Sequence, residues 1–432
     1  MQRPIDEFRQ RRTRYLVAEL LLLSTCCINL AKADAYSDAR AELIAAYEAR
    51  NFVAMQAAAN DALFARPGYP GALFNLALAK TLGGDSAGAL EVFSALVAIG
   101  VDYAIADIED FEPLQQAAGW AAYAAAVAEL QRPIGAASVA FTHERGDFIP
   151  EGLLLLDGAL FLGSVRHGQI VRIGERAAIM SNAETAGHWS VFGMRLGPDD
   201  AIWFASAAVQ EYAAADDNSL GATGLFRLDL ASGETTAAAI LSGGEASMVF
   251  GDLVFADDDT IFLSESLQGA LYCYRLSTGR MEQVIAPGTL RSMQGLVLDE
   301  SGEYLFVADY VGGLFRIRLA DFAIDRVASS TPMNLFGIDG LYRYGDELIA
   351  IQNGYHPNRV VAFKLSTDGS SIVGRRVLAR NLPEFDEPTL GTISGSDLLF
   401  VANSHWNRFS PDGTLPDGLS GPIILQVSLL QP

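Results

Sequence analysis

Two different periodicities of apolar residues divide the chain. In residues 34–131, apolar positions recur three and four apart, which is the spacing of a helix face. After Pro133 the period becomes two, and β-branched and aromatic residues dominate, as in β-strands. The pattern therefore predicts a mainly β fold preceded by an all-α segment, with the change close to residue 133.

The strand-rich part repeats one unit six times. Each copy is a short strand, a turn rich in Asp and Gly, and a second strand that ends in small or polar residues. The copies begin at Glu151, Phe192, Asp252, Gln294, Asp339 and Thr389. An alternating outer strand follows every copy. Multi-stranded repeats spaced roughly 40 to 60 residues apart predict a six-bladed β-propeller over residues 135–432.

The two ends of this part should meet. Residues 136–144 alternate like a strand before the first copy, and residues 422–429 do so after the last. Their pairing would close the ring and remove exposed sheet edges. Beyond residue 33 the only cysteine is Cys273, so we expect a fold held by its core without an intramolecular disulfide.

The helical segment carries one clear repeat unit, residues 72–100. Its sequence resembles a tetratricopeptide repeat, with a turn at Gly83-Gly84-Asp85 between two helices and matching positions at Leu73, Leu76, Ala77, Ala89 and Phe93. Residues 39–67 form a poorer copy, and residues 104–130 are expected to be capping helices. The resemblance implies a groove for a protein partner. The alternative is a helical cap that only packs on the next domain.

The first 33 residues have the order of a secretory signal peptide. Basic residues come first, the stretch from Leu20 to Leu30 is largely apolar, and Ala31-Lys32-Ala33 is an A-x-A cleavage pattern. We therefore expect a periplasmic or secreted protein, the alternative being an ordinary N-terminal helix. A lipoprotein anchor at Cys26 is not favoured, because the residues before it match that pattern imperfectly.

Charge excludes some partners. The chain has 30 Lys and Arg against 52 Asp and Glu, a net charge of −22, whereas nucleic acids and anionic membranes require clustered basic residues. After the signal segment, no apolar run approaches the roughly 18 residues that span a bilayer. We expect a soluble acidic protein without a nucleic-acid partner or a membrane span.

Three phrases in the strand-rich part carry a family resemblance. IPEGLLLLDGALFLGSVRHGQIVRI, VADYVGGLFRI and NGYHPNRVV resemble the senescence-marker-protein/gluconolactonase family, whose fold paraoxonases, diisopropyl fluorophosphatase and strictosidine-synthase-like proteins share. The resemblance implies a divalent metal at one mouth of the tunnel, held by residues that start innermost strands. The corresponding residues here are Glu151, Asp252, Gln294 and Asp339. Glu151 and Asp339 match the family pattern, whereas Asp252 and Gln294 stand where it has Asn.

The same residues have a physical reason to bind a cation. Innermost strands of a propeller begin around one rim, so three carboxylates there would repel one another unless a cation or protons neutralised them. All-oxygen donors favour Ca²⁺, with Mg²⁺ and Mn²⁺ as alternatives and Zn²⁺ after them. Asp252 could instead hydrogen-bond to the ligands without binding the metal itself, and Gln294 could only form hydrogen bonds at the rim. Acidic residues in the hairpin turns are expected only to form turns.

Each hairpin returns its second strand to the same rim. The residues expected there are Arg166, His167, Ser206, Glu265, Ser266, Tyr310, Asn353, Tyr355, His356, Asn403, Ser404, His405 and Trp406. His356 and His405 lie beside an Asn and an aromatic residue, and with Asp339 they are the candidate catalytic bases. The alternative for each histidine is an ordinary loop residue.

These observations predict a metal-dependent hydrolase of a lactone or related ester, in which the cation acts as Lewis acid. The sequence has no Gly-x-Ser-x-Gly elbow, His-Glu-x-x-His motif, Walker loop or dinucleotide fingerprint. Two alternatives remain: a non-enzymatic binding protein that uses the propeller and the helical repeats, and a metal-free lyase of the strictosidine-synthase type.

Overall fold

The computed structural model describes residues 35–174, 178–242, 246–410 and 412–430. The chain divides into two compact units, one ending at Leu130 and the other beginning at Gln131. The predicted signal segment, with Cys26 and Cys27, lies outside the described residues. In the described ranges, every helix is too short or too polar to cross a membrane.

The first unit is helical, as predicted. Its α-helices are α1 (Ala35–Glu48), α2 (Phe52–Ala65), α3 (Pro70–Leu82), α4 (Ser86–Ala98) and α5 (Trp120–Leu130), with 3₁₀ turns at Ile105–Asp107 and Glu109–Gln116. Helix α4 begins where the Asp85 side chain accepts a hydrogen bond from the Gly88 amide, at 2.9 Å. Phe74, Phe93 and Phe111 pack edge to face in its core. The likeness to tetratricopeptide repeats remains a prediction.

The second unit is a six-bladed β-propeller, which confirms the predicted fold class. Blades one and two contain β2 (Pro150–Leu156), β3 (Ala159–Ser164), β4 (Gln169–Ile173), β5 (Ala178–Asn182), β6 (Ser190–Leu196), β7 (Ala201–Ala207), β8 (Ala222–Asp229) and β9 (Thr235–Ser242). Blades three and four contain β10 (Phe250–Phe255), β11 (Thr260–Glu265), β12 (Ala270–Arg275), β13 (Arg280–Ile285), β14 (Met293–Leu298), β15 (Tyr304–Asp309), β16 (Gly313–Arg318) and β17 (Ile324–Arg326). A short helix α6 (Ala183–Ala186) follows β5.

The last two blades complete the ring. They contain β18 (Ala328–Ser329), β19 (Ile338–Tyr344), β20 (Glu347–Gln352), β21 (Arg359–Leu365), β22 (Ser371–Arg380), β23 (Gly391–Ser394), β24 (Asp397–Val401), β25 (Ile423–Ser428) and, from the start of the unit, β1 (Ala137–Thr142). Strand β1 pairs antiparallel with β25, where Ser138 lies opposite Gln426. The predicted closure is therefore present.

Every blade runs outward from a hairpin at the axis. The innermost strands β2, β6, β10, β14, β19 and β23 are neighbours around the axis. In blade one the hairpin turns on Asp157 and Gly158, both at positive φ, as a two-residue Asp-Gly turn requires. Large side chains such as Phe204 and Phe226 fill the space between blades and exclude water. The hairpins thus fix which residues start each innermost strand.

Candidate functional site

A β-bulge near the start of the innermost strand recurs in five blades. Strand pairing shifts register there by one residue in every case, and such a bulge changes the direction in which nearby side chains point. The first bulged residues are Glu151, Phe192, Gly251, Gln294 and Asp339. All five line one cavity of about 660 Å³ in the propeller. Asp252 lines the same cavity, so the structure brings the four predicted metal ligands to one mouth.

Glycine follows the first bulged residue in four of these blades. A Cβ added to Gly152 would lie 2.3 Å from the carbonyl oxygen of Phe192, and one added to Gly295 would lie 2.5 Å from the amide nitrogen of Leu341. Neighbouring innermost strands therefore approach too closely for a side chain at Gly152 or Gly295. In blade three the order is reversed, and Asp252 stands in register with those glycines.

Glu151 is a buried residue of the cavity lining. Its Oε2 accepts a hydrogen bond from the Trp406 indole nitrogen at 2.9 Å. Burial and then the negative charge of Asp339 raise the pKa of Glu151 well above its ordinary value, while Trp406 and the Thr389 hydroxyl oppose the rise. The charge of Asp339 on blade five therefore acts on Glu151 of blade one.

Asp339 is held by a chain of two hydrogen bonds. The Tyr310 hydroxyl donates to Asn353 Oδ1 at 2.9 Å, and Asn353 Nδ2 donates to Asp339 Oδ2 at 2.7 Å. Burial raises the pKa of Asp339 to about 7; the bond from Asn353 lowers it, and the charges of Glu387 and Asp252 raise it. The carboxyl therefore changes its charge close to neutral pH, as a general base requires.

We expect Asn353→Ala to raise the pKa of Asp339 by about one to two units, because a hydrogen bond to an ionised group is worth roughly 1.5 to 3 kcal/mol. The measurement is ¹³C NMR titration of the carboxyl in protein treated with EDTA. Asn218→Ala, in an exposed loop, is the control and leaves the titration unchanged. An unchanged midpoint in Asn353→Ala would show that the amide does not stabilise the ionised form.

Asp252 has a different environment from the other two acids. It is 2% exposed, and its Oδ2 lies 2.9 Å from Arg195 Nη2 on β6 of the neighbouring blade. The Leu253 amide also donates to Oδ1 at 2.9 Å. Burial raises the pKa of Asp252, and the charge of Arg195 opposes that rise. Arg195 therefore compensates the charge of Asp252. The sequence pattern did not mark Arg195 as a residue of the site.

Gln294 sits between two serines at the rim. Its Nε2 donates to Ser292 Oγ at 3.1 Å, and Ser266 Oγ lies 3.4 Å from its Oε1. Ser266, Tyr310, Asn353 and Trp406 also line the cavity, as expected for residues that end or follow second strands. Gln294 therefore offers one weakly engaged amide oxygen to this mouth.

Glu387 is an acidic residue of the cavity that the sequence interpretation missed. It lies in the loop between β22 and β23, where the Asn407 amide donates to its Oε2 at 2.8 Å. Burial raises its pKa. Glu387 belongs to a loop and not to a repeated strand. The one feature of the sequence that could have indicated it is its position two residues before Thr389, where the last repeat begins.

The two candidate histidines are not among the residues that line the cavity. His405 is buried, with Nε2 2.9 Å from the Ser420 carbonyl oxygen and Nδ1 3.8 Å from Asp386 Oδ2. His356 is exposed beyond β20 and precedes Pro357. His405 therefore holds the loop that carries Trp406, and of the three candidate bases only Asp339 lines the cavity.

The acids of the site divide into paired and unpaired carboxylates. Asp252 pairs with Arg195, whereas Glu151 and Asp339 form no salt bridge with any described residue. Across the described ranges, no three His, Cys, Asp or Glu side chains form a group that could hold a metal ion. A cation between Glu151 and Asp339 would take its other ligands from amide or hydroxyl oxygens and water.

Comparison with known proteins gives a likeness of fold. No family matches the sequence, and no curated protein matches it. Among solved structures, virginiamycin B lyase from Staphylococcus aureus covers 68% of this chain and 99% of its own, with 12% identity and a TM-score of 0.44. A protein of unknown function from Bacteroides thetaiotaomicron covers 68% of this chain and 72% of its own, with 9% identity and a TM-score of 0.48. The propeller rests on this chain's own strand pairing, and these similarities say nothing about its reaction.

Proposed function

We propose that the protein is a metal-dependent hydrolase of a lactone or related ester. The observation that supports this is a group of buried carboxylates in one cavity: besides burial, the charge of Asp339 raises the pKa of Glu151 and the charge of Glu387 raises the pKa of Asp339. Among the described residues that line the cavity, no Lys, Arg or His compensates them. Repulsion of this kind is relieved by a bound cation or by a shared proton. The cavity volume is in the range of small-molecule sites.

The donor set fits a hard divalent cation. Glu151, Asp339 and the Gln294 amide offer only oxygen, and no His or Cys is among the described residues that line the cavity. Oxygen donors favour Ca²⁺, with Mg²⁺ and Mn²⁺ next and Zn²⁺ last. The amide oxygen of Gln294 reaches farther than that of the Asn found in the family it resembles.

The proposed chemistry divides among the residues of the cavity. A bound divalent cation would polarise the ester carbonyl and stabilise the negative charge that develops on it. Asp339 takes a proton from the attacking water, because it is the candidate base that lines the cavity. Asn353 orients that carboxylate, and Trp406 orients Glu151.

The setting of this activity is also proposed. The signal pattern of residues 1–33 supports a periplasmic or secreted location. The helical unit would offer its surface to a protein partner, in keeping with its resemblance to tetratricopeptide repeats. Neither role is needed for the chemistry of the cavity.

Metal removal tests the proposed function. We expect purified protein to hydrolyse members of a lactone panel in a pH-indicator assay, to lose at least about 90% of that rate after treatment with EDTA, and to regain it with Ca²⁺ or Mn²⁺. The same protein without EDTA is the reference. Hydrolysis that EDTA leaves unchanged would contradict metal dependence, and no hydrolysis of any lactone would contradict the proposed reaction.

A metal-free reaction is the second candidate. Of the three carboxylates expected at the strand starts, Asp252 pairs with Arg195, which leaves Glu151 and Asp339 unpaired. Two carboxylates of this kind can share one proton. Such a pair would act as a general acid and base, as in a lyase of the strictosidine-synthase type. Activity that survives EDTA and depends on Asp339 would favour this candidate.

A further inference from the structure

One wall of the cavity is apolar and open to solvent. Leu220 and Leu267 are 43% and 55% exposed, which places them among the most exposed large apolar side chains of the propeller. Both line the cavity, together with Val209, Met248 and Val249 from the loops of blades two and three. Exposed apolar side chains grouped around a cavity indicate a surface that a ligand covers.

The polar side of the cavity carries charge of one sign. Its acidic residues are Glu151, Glu211, Asp252, Asp339 and Glu387. Among the described residues that line the cavity, none is Lys, Arg or His. Arg195 lies behind Asp252 and is already paired with it. An anionic ligand would meet repulsion here without a side chain to compensate its charge.

We propose that the substrate is a lactone or ester that carries an apolar chain of several carbons and no anionic group. This inference rests on the proposed function. The ester group lies at the acidic floor near Asp339, and the chain lies against Leu220 and Leu267. A polyhydroxylated lactone would leave this wall exposed and would place its hydroxyl groups against carbon.

The apolar wall sets the size of the expected effect. Each buried methylene strengthens binding about three- to fourfold. A hexyl chain that buries about half of its methylenes should therefore improve affinity by at least about tenfold. The cavity of about 660 Å³ accommodates a ring with such a chain.

Non-hydrolysable lactams test the proposal by binding alone. The probes are 2-pyrrolidinone, 5-hexyl-2-pyrrolidinone and pyroglutamate, which is the same ring with a carboxylate. We expect calorimetry, with and without Ca²⁺, to give at least about tenfold tighter binding of the hexyl compound than of 2-pyrrolidinone. Without Ca²⁺, pyroglutamate should bind more weakly than 2-pyrrolidinone. Equal affinity of the first two, or tighter binding of pyroglutamate without Ca²⁺, would overturn the proposal.

Variants of the apolar wall locate the effect. In Leu220→Ser with Leu267→Ser, the affinity ratio of hexyl compound to 2-pyrrolidinone should fall below about threefold. The matched control is Ile179→Ser with Ile240→Ser, two outer-strand residues that are 57% and 52% exposed, and it should keep the wild-type ratio. An unchanged ratio in the first variant would place the chain elsewhere and overturn the proposal.

The two proposals fail in different ways. If no lactone is hydrolysed, the proposed reaction is wrong, while the ranking of the three lactams still measures what the cavity binds. If lactones are hydrolysed but a sugar lactone reacts at least as fast as one with a hexyl chain, the substrate class is wrong and the reaction stands.

Discussion

Asp339→Asn should lower kcat/KM for lactone hydrolysis by at least about 10²-fold, the lower end of what a positioned general base contributes. Asn keeps the shape of the side chain but can neither accept a proton nor hold a cation with a full charge. The measurement is steady-state hydrolysis across pH. In the wild-type protein, activity should fall as the pH is lowered, because protonation of Asp339 removes both the general base and a charged ligand of the cation.

The loss of activity should not come from unfolding. The folded-state pKa of Asp339 is raised from its ordinary 3.8 to about 7, so the folded protein binds this proton more tightly than the unfolded chain. Its contribution to stability therefore falls as the pH increases from about 4 to about 7. Asp339→Asn removes that loss, and in EDTA-treated protein it should melt at or above the wild-type temperature at pH 8. Glu300→Gln, in an exposed hairpin turn, is the control with wild-type activity. Activity above half of wild type in Asp339→Asn would refute its role.

Arg195→Met should destabilise the propeller by about 3 kcal/mol. The change leaves Asp252, which is 2% exposed, without the cation 2.9 Å from its Oδ2. Removing one partner of a buried pair costs more than the pair itself contributes, because the remaining charge stays out of water. The measurement is denaturant unfolding at pH 8. The penalty should shrink towards pH 5, because Asp252 can then take up a proton.

Two further variants test whether the lost stability comes from the uncompensated charge of Asp252. Asp252→Asn in the Arg195→Met background should recover most of the lost stability, since no buried charge remains. Arg318→Met removes a pair with Asp321 in which both side chains are about half exposed, and should cost less than about 1 kcal/mol. If Arg195→Met costs no more than Arg318→Met, Arg195 does not compensate the charge of Asp252.

The ring of blades could be predicted because its signals are local and repeated. Period-two alternation, Asp-Gly turns and six copies of one hairpin each depend on short stretches of sequence. The closing pair β1 and β25 could be predicted from the alternating residues at the two ends of this part. Glu151, Gln294 and Asp339 could be placed at one mouth for the same reason, since each is the first bulged residue of its blade.

Other features of the site depend on single-residue offsets and on loops. Gly251 and Asp252 reverse the order found in other blades, and an offset of one residue inside a bulge leaves the alternation of the strand unchanged. Arg195 meets Asp252 across two blades, a contact that neither strand pattern contains. Glu387 and His405 lie in loops whose course the repeat does not determine. Glu387 therefore lines the cavity although it was not predicted to, and His405 does not line the cavity although it was a candidate base.

A metal-dependent reaction in this cavity requires that Glu151 and Asp339 hold a divalent cation. Isothermal titration of EDTA-treated protein with Ca²⁺, Mg²⁺, Mn²⁺ and Zn²⁺ measures this without a substrate. We predict one site that prefers Ca²⁺, with affinity at least about 100-fold weaker in Glu151→Gln and in Asp339→Asn and unchanged in Glu300→Gln. Absence of binding by all four ions, or binding that survives both substitutions, would contradict the account.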